Sequence, residues 1–443
     1  MLDLKYKTIL GVAIPLMISS FIQSIVLITD AAFLSRHSTF AFDACGNAGL
    51  IYITLYVSLS GLSDGVQILI ARRIGQENNG AIGRIFGTSV STLFLFALIF
   101  FLFILLCFPT ILPLYSKDQA LASGQISFLS IRGYALFTCV LSLPIQAFFY
   151  AVGKTWVVMI GALITAFSNI IMDYFFIFGY QNKINPMGLE GAALASTLAE
   201  IMGMLFLVVY LFYSKERKKY DLFKHFKFQL SSFVELLKIG GPLFFQGFVA
   251  LATWTVFFTW IEQMGSFELT VSQNIRAIYF LAFVPIVGFA STTKTYISLY
   301  LGKNDIGSLK TIQRKIQLLT VAFLILFFHG ALLYPEFMIS CINPSELYIE
   351  KSASILRFVS GSFLIFGFIS VKFQTVNGSG NTISSFVIEL LSVSIYMIFT
   401  YFLIKVWQVD IFWVWSVEYI YFGSLGILSI FYLKFFNWKT KII

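Results

Sequence analysis

Residues 14–36 read IPLMISSFIQSIVLITDAAFLSR, an apolar run with Pro15 near its start and one acidic residue, Asp30, near its end. Apolar residues extend the run back to about Thr8, so the predicted helix covers 8–35. That is longer than the ~20 residues that a helix needs to cross a bilayer, and too long for the apolar core of a cleaved signal peptide. The run therefore predicts a first membrane-spanning helix.

The rest of the chain has the same character. Of its 443 residues, 58% are hydrophobic and 12% are charged, whereas soluble domains are about half apolar and a quarter charged. Polar breaks separate twelve apolar runs, at 8–35, 46–71, 85–113, 124–151, 156–180, 188–213, 233–261, 270–300, 316–340, 348–376, 382–408 and 411–434. Runs of this length without apolar–polar alternation are typical of helices and not of a membrane β-barrel. We predict an all-α polytopic membrane protein with twelve transmembrane helices, which excludes a soluble enzyme.

Basic residues are unevenly distributed between the loops on the two sides of the predicted helices. With the N-terminus inside, the inner segments hold twenty lysines and arginines and the outer segments hold six. Because basic loops stay on the cytoplasmic side, we predict that both termini lie in the cytoplasm. The net charge of +9 follows from this orientation, so we expect contact with membrane lipid and no nucleic-acid partner.

The chain contains an internal repeat with an offset of 227 residues (242 minus 15). The offset aligns Pro15 with Pro242, Asn47 with Asn274, Gly61 with Gly288, Gly75 with Gly302, Gly153 with Gly380 and Thr155 with Thr382. An even number of helices per copy gives both copies the same orientation, as in transporters whose halves move about a central cavity. We predict two six-helix lobes, 1–213 and 233–443, joined by a basic cytoplasmic loop at 214–232. The duplication favours a transporter over a channel.

Two acidic residues, Asp30 and Asp173, fall inside predicted helices, where a charge costs ~3 kcal/mol. At 1.5 Å per residue, Asp30 lies about 9 Å and Asp173 about 10 Å below the outer ends of their helices. Asn169 precedes Asp173 by one turn on the same helix face, and Ser196 lies about 12 Å inside the next helix. Oxygen ligands at one depth suit a proton or Na⁺. We therefore predict that these four residues form a cation-coupling site.

The alternative is that each of these polar groups finds a partner on its own helix. Under the repeat, Asp30 aligns with Phe257, Asn169 with Tyr396 and Asp173 with Thr400. The predicted site is therefore confined to the first half of the chain.

Three further charged residues inside predicted helices, two in the first half and one in the second, each have two interpretations. Asp64 on the second helix is either a hydrogen-bonded structural carboxylate or a substrate contact in a cavity. Glu200, one turn beyond Ser196, either extends the proton path or forms a structural pair. Lys294 on the eighth helix is a candidate cavity or relay residue, with a structural ion pair as the first interpretation. Pro15 removes a backbone donor and crowds the preceding turn, so we expect a bend there. Its recurrence in the repeat favours a hinge over a role in packing alone.

Charged residues of the second half are interpreted first as structural. We expect a buried ion pair, either Lys372–Glu389 or Lys294–Glu389, with substrate contact as the alternative. Arg132 and Arg357 are 225 residues apart and therefore nearly equivalent in the repeat. We expect them to brace the fourth and tenth helices.

The four cysteines and three histidines show no metal-ligand spacing. We therefore expect no cofactor, no metal other than a Na⁺ ion at Asp30 and Asp173, and no enzymatic activity.

Four motifs resemble the multidrug and toxic compound extrusion (MATE) transporters, and the resemblance covers nearly the whole chain. They are IPLMISSFIQSIVLITDAAFLSR, GLSDGVQILIARRIGQ at the end of the second helix, SNIIMDYFF in the fifth and GLEGAALAS opening the sixth. The resemblance implies two six-helix lobes around a central cavity, and exchange of drugs against H⁺ or Na⁺. It is nearest to the DinF-like branch, whose N-lobe cation site would fall on Asp30, on Asn169 with Asp173, and on Ser196, where threonine is usual.

One position departs from the NorM-like branch of the family. That branch carries a glutamate on helix 7, where this chain has Ala250, and Glu262 lies three turns further on, near the outer surface. A second Na⁺ site of that type is therefore not expected in the C-terminal lobe.

Together with the resemblance, these features predict a multidrug efflux antiporter of a prokaryotic inner (plasma) membrane that works by alternating access as a monomer. Its substrates are expected to be small organic compounds, predominantly cations, exchanged for H⁺ or Na⁺. The alternatives are a lipid-linked oligosaccharide flippase of related architecture, a channel, or an intramembrane enzyme. The flippase would need a large cationic cavity and the enzyme a His, Ser or metal cluster at one depth.

Overall fold

A computed structural model describes residues 2–115, 119–181, 183 and 185–440. Lys117 and Lys441, two of the loop lysines counted above, lie outside these residues. The first half contains helices α1 Tyr6–His37, α2 Thr39–Gly75, α3 Asn79–Leu106, α4 Phe108–Tyr115, α5 Gln119–Arg132, α6 Cys139–Val152, α7 Thr155–Phe178, α8 Gly188–Tyr213 and α9 Lys215–Lys219. The second contains α10 Leu230–Glu262, α11 Ser266–Gly302, α12 Leu309–Phe328, α13 Gly330–Leu333, α14 Pro335–Ile342, α15 Glu346–Gly378, α16 Thr382–Tyr401, α17 Ile411–Val414 and α18 Val417–Phe435. Short 3₁₀ turns at Gly133–Phe137 and Trp438–Thr440 and a π turn at Phe402–Val406 complete the described structure.

Among the described residues, eleven helical segments are long and apolar enough to cross a membrane. A twelfth is the bent pair Gln119–Phe137 and Cys139–Val152, whose parts meet at 47°. At the bend the carbonyl of Ala135 accepts from the backbone N–H of Thr138 (3.0 Å) and from its hydroxyl (2.7 Å), so local bonds satisfy this carbonyl where the helix is interrupted. The predicted all-α fold with twelve membrane spans is confirmed, and the predicted span 124–151 is this bent one.

The glycines of the repeat have specific structural roles. Gly153 ends α6 with φ 78° and Gly380 precedes α16 with φ 85°, a left-handed conformation that glycine adopts without steric cost. Gly61 and Gly288 permit close helix packing. A Cβ on Gly61 would lie 2.5 Å from the carbonyl oxygen of Leu243, and one on Gly288 would lie 2.6 Å from Cγ of Met17.

The chain divides into two compact units. The N-terminal unit is Ile18–Phe244, and the C-terminal unit is Met1–Met17 with Phe245–Ile443. The division therefore falls inside α1 and α10, two residues after Pro15 and Pro242 respectively. The predicted lobes, 1–213 and 233–443, stay a prediction about the duplicated sequence, and Pro15 as a hinge stays a prediction about motion.

Each unit has its own hydrophobic core. In the N-terminal unit small side chains such as Ala44 and Ala193 are fully buried, which lets helices approach closely. In the C-terminal unit large rings dominate, including Phe257, Phe363 and Trp415. Aromatic side chains bury the largest apolar areas, so the second unit depends more on ring packing than the first.

Candidate functional site

A connected group of polar side chains lies inside the N-terminal unit, on three different helices. We call it the polar layer: Asp30 of α1, Asn169 and Asp173 of α7, and Ser196 of α8. The Ser196 hydroxyl donates to Oδ2 of Asp30 (3.4 Å), and Nδ2 of Asn169 donates to Oγ of Ser196 (3.2 Å). The carboxyl groups of Asp30 and Asp173 adjoin each other. The residues singled out by depth in the sequence are thus neighbours in space.

Helices α7 and α8 pack closely, which allows the side chains of Asn169 and Ser196 to meet. A Cβ on Gly191 would lie 2.5 Å from the carbonyl oxygen of Phe176, and one on Gly203 would clash with the hydroxyl of Thr165. Small residues at such positions let two helix backbones approach. The GLEGAALAS motif therefore brings Ser196 within reach of Asn169.

The polar layer has more oxygen acceptors than donors. Asp173 is 0% exposed, and both of its carboxylate oxygens lack a hydrogen-bond partner among the described residues. The same holds for Oδ1 of Asp30 and Oδ1 of Asn169. Buried polar atoms are normally satisfied, and two adjoining carboxylates repel each other unless they share a positive charge. The arrangement has the chemistry to hold a proton or a small hard cation such as Na⁺.

A second polar cluster lies one turn away on α8, at Glu200. Its carboxylate accepts from Nη2 of Arg132 (2.7 Å), from the hydroxyl of Tyr52 (3.1 Å) and from that of Thr138 (3.3 Å). The Arg132 guanidinium also stacks on the Tyr52 ring, 3.9 Å from its centroid. Glu200 is therefore held in an ion pair, as its structural interpretation predicted, and a relay role for it stays a prediction.

Arg132 also interacts electrostatically with Asp30 and Asp173. Neither aspartate forms an ion pair with a lysine or arginine of the described chain. The carboxyl groups of the polar layer are thus close to a positive charge that is already engaged by Glu200.

The structure places the other predicted residues as follows. Asp64 is half-buried on α2 and interacts electrostatically with Tyr150 of α6. Lys294 is buried on α11, where its backbone approaches Gly378 of α15. Glu262 is the last residue of α10, and its location near the outer surface stays a prediction.

The predicted ion pair at Glu389 is wrong for both of its proposed partners. Glu389 instead accepts a hydrogen bond from the hydroxyl of Tyr421 (2.5 Å), and Nζ of Lys372 donates to Oε1 of Gln313 (2.9 Å). A neutral phenol satisfies a buried carboxyl group without the cost of desolvating an ammonium group as well.

Sequence reasoning missed one buried carboxyl group, Glu418, at the first turn of α18. It is 1% exposed and accepts hydrogen bonds from the hydroxyls of Tyr279 and Tyr396. It lines a cavity of about 130 Å³ together with Ala250 and Trp254. The carboxyl group of this cavity thus comes from α18, while α10 contributes Ala250, Thr253 and Trp254. Glu418 lies inside the predicted span 411–434, and the acid within SVEYIYF was the only sequence signal.

Comparison with known proteins gives the same architecture. A probable multidrug resistance protein NorM from Thermotoga maritima is 26% identical over 404 residues, covering 87% of this chain and 83% of that protein. A mutant of the Vibrio cholerae MATE transporter VcmN superposes with a TM-score of 0.87 at 15% identity, covering 98% of both chains. A MOP superfamily transporter from Pyrococcus furiosus superposes with a TM-score of 0.86 at 18% identity, covering 96% of this chain and 94% of that one. At these identities the two structures establish a shared fold.

The family comparison also identifies both copies of the repeat. The MatE family profile matches residues 15–175 and again residues 242–402, two segments that are 227 residues apart (242 minus 15). Because these matches together span most of the sequence, the chain belongs to the MatE family of membrane transporters.

Proposed function

We propose that this protein is a multidrug efflux antiporter that exports small organic, mainly cationic compounds across the plasma membrane in exchange for H⁺ or Na⁺. Membership of the MatE family and the relatives' names as multidrug resistance proteins support export. Coupling to a cation rests on one observation, the buried oxygens of the polar layer that lack hydrogen-bond partners.

The polar layer binds the coupling ion because an uncompensated pair of buried carboxylates is unfavourable. A proton shared by Asp30 and Asp173, or a Na⁺ ion held by their oxygens with those of Asn169 and Ser196, removes that repulsion. The ion is acquired from the outer side and released to the cytoplasm, down its electrochemical gradient. Both termini lie in the cytoplasm in this scheme, in agreement with the distribution of loop charges.

Exchange requires that the ion and the substrate favour different conformations. Asp30 and Pro15 lie on the same helix, α1, and the compact units divide this helix just after Pro15. Ion binding at Asp30 draws the outer part of α1 toward α7 and α8 and bends the helix at Pro15. A coupling free energy of ~1–3 kcal/mol suffices to make substrate and ion binding alternate.

The test is accumulation of a fluorescent organic cation in everted membrane vesicles under separate pH and Na⁺ gradients. Asp30→Asn and Asp173→Asn keep side-chain size but remove the negative charge, so each should reduce gradient-driven transport about tenfold or more. Asp43→Asn is the matched control, because Asp43 is an exposed aspartate on α2 outside the polar layer. Its transport should stay within about twofold of the wild type.

Full gradient-driven transport by both polar-layer variants, at equal protein levels, contradicts the coupling assignment. Transport driven by only one of the two gradients identifies the ion. Transport that needs neither gradient in the wild type rejects antiport itself and favours a flippase or a channel.

A further inference from the structure

A second cavity, of about 300 Å³, lies within the C-terminal unit. It is formed by the start of α12, the last turns of α15, the end of α18 and the 3₁₀ turn Trp438–Thr440. Its volume is within the range of small-molecule sites, and none of its lining residues belongs to the polar layer.

Four lysines surround this cavity: Lys310, Lys372, Lys434 and Lys439. None of them forms an ion pair with an aspartate or glutamate in the described part of the chain. The charges of Lys310 and Lys372 act on each other as like charges, which is unfavourable unless an anion lies between them. The cavity therefore has a concentrated positive charge, and no carboxylate of the described residues neutralises it.

Hydrogen bonds made by the lining residues hold the walls of the cavity in place. Nζ of Lys372 donates to Oε1 of Gln313 (2.9 Å), and Nε2 of Gln313 donates to Oγ1 of Thr375 (3.1 Å). These two hydrogen bonds orient the Lys372 ammonium group and use only one of its three N–H donors. The buried Trp438 is fixed by its Nε1–H, which donates to the carbonyl of Leu433 (3.0 Å).

We propose that this cavity binds a phosphate-bearing anion, through its four lysines and with Trp438 and Leu433 as an apolar wall. Lysine ammonium groups are common phosphate ligands, and basic pockets between transmembrane helices on the cytoplasmic side suit anionic lipid head groups. The same chemistry fits the head group of an anionic phospholipid or a small soluble phosphate ester. This site is separate from the proposed antiport mechanism and does not require it.

The experiment measures binding to the purified full-length chain in a non-ionic detergent by calorimetric titration. The probes are dihexanoyl phosphatidylglycerol, dihexanoyl phosphatidylcholine as the zwitterionic control, and glycerol 1-phosphate as the soluble phosphate ester. The variants are Lys434→Gln with Lys439→Gln, both exposed side chains, and Lys310→Gln with Lys372→Gln. The matched control is Lys218→Gln with Lys224→Gln, which removes the same charge from exposed positions of the loop 214–232.

We expect phosphatidylglycerol to bind the wild type, with an affinity that each cavity variant lowers about tenfold or more and the control lowers less than about twofold. Binding of phosphatidylglycerol alone identifies a lipid site, and comparable binding of glycerol 1-phosphate identifies a soluble phosphate site. Three results overturn the proposal: no binding of either phosphate anion, equal binding of phosphatidylcholine, or wild-type affinity in the Lys434→Gln/Lys439→Gln variant. Because binding is measured without a gradient, loss of antiport in the polar-layer variants does not affect the outcome.

Discussion

The polar layer of the N-terminal unit and the aligned positions of the C-terminal unit differ completely in chemistry. Where the first copy has Asp30, Asn169 and Asp173, the second has Phe257, Tyr396 and Thr400. The rings of Phe257 and Tyr396 pack at 5.6 Å, and the Thr400 hydroxyl donates to the carbonyl of Tyr396 within its own helix (2.8 Å). Adjoining carboxyl groups in one copy are thus replaced by ring packing in the other.

The difference shows that the duplicated scaffold does not need carboxylates at the positions of the polar layer. Replacing buried ionic groups by well-packed apolar ones is often neutral or stabilising, and the second copy has apolar or hydroxyl side chains at the two aspartate positions. Buried carboxylates are costly and commonly mark functional sites in membrane helices, which supports the coupling role proposed above.

A second comparison involves a tyrosine–glutamate contact that occurs in both units. Tyr52 donates to Glu200 and its repeat equivalent Tyr279 donates to Glu418. Only the first contact includes an arginine, Arg132. The near-equivalent Arg357 instead pairs with the exposed Glu336 (3.1 Å). We predicted that these two arginines brace the fourth and tenth helices. The contacts of Arg132 agree with this prediction, whereas Arg357 forms an exposed ion pair.

The largest effect on stability is expected from the arginine of the first unit. Arg132→Met leaves Glu200, whose side chain is 24% exposed, without its cation and should lower the free energy of unfolding by ~3 kcal/mol, the low end for a buried pair. Arg357→Met removes only an exposed pair and should cost less than about 1 kcal/mol. Thermal unfolding in detergent measures both. Equal destabilisation by the two variants would show that the arginines are equivalent after all.

Removing the tyrosine hydroxyl should lower stability more at Glu418 than at Glu200. Tyr279→Phe leaves Glu418 with one long hydrogen bond, from Tyr396 at 3.4 Å, and should cost about 2 kcal/mol. Tyr52→Phe should cost about 1 kcal/mol or less, because Glu200 keeps Arg132 and its other donors. Chemical unfolding of the two variants gives the comparison, and a larger loss in Tyr52→Phe contradicts it.

Transport should depend on the acid of the first unit and not on its counterpart in the second. Asp173→Asn should reduce gradient-driven efflux about tenfold, or about 1.4 kcal/mol in coupling. Thr400→Val, at the aligned position, should leave efflux within about twofold of the wild type. Initial rates in everted vesicles provide the measurement, and a similar loss in both variants would indicate a structural effect.

The smallest effects are expected at the glycines that the two units share. Gly153→Ala and Gly380→Ala each place a side chain at positive φ and should cost about 1 kcal/mol. Gly423→Ala on α18 is the control, because a Cβ there meets nothing within 4 Å and alanine favours the helix. It should leave stability unchanged or slightly increased, and unequal costs at the two repeat glycines would indicate that their turns differ.

Much of the fold was predictable because the bilayer requires long apolar runs. The first span was predicted at 8–35, and α1 runs over Tyr6–His37. The third span was predicted at 85–113, whereas the structure has α3 Asn79–Leu106 followed by α4 Phe108–Tyr115. Hydropathy does not reveal the break between α3 and α4, because both helices are apolar.

The polar layer was predictable in part because helical rise converts sequence position into depth. Depth does not specify how each helix is rotated, so it placed Asp30 and Asp173 at one level without showing that their carboxyl groups adjoin. For the same reason, sequence position suggested a lysine partner for Glu389, whereas its hydrogen-bond partner in the structure is Tyr421. It overlooked Glu418, which lies inside the predicted span 411–434 and whose partners Tyr279 and Tyr396 come from other helices.

The amino-acid order alone was sufficient for the number of spans, the 227-residue duplication and the absence of the acids from its second copy, since these depend on local hydrophobicity and residue identity. Only the folded structure decided the partners of the buried charges, among them Arg132 with Glu200, Tyr421 with Glu389 and two tyrosines with Glu418. It also decided that lysines from three distant segments surround one cavity. These pairings depend on helix rotation and side-chain direction, which arise when the helices pack together.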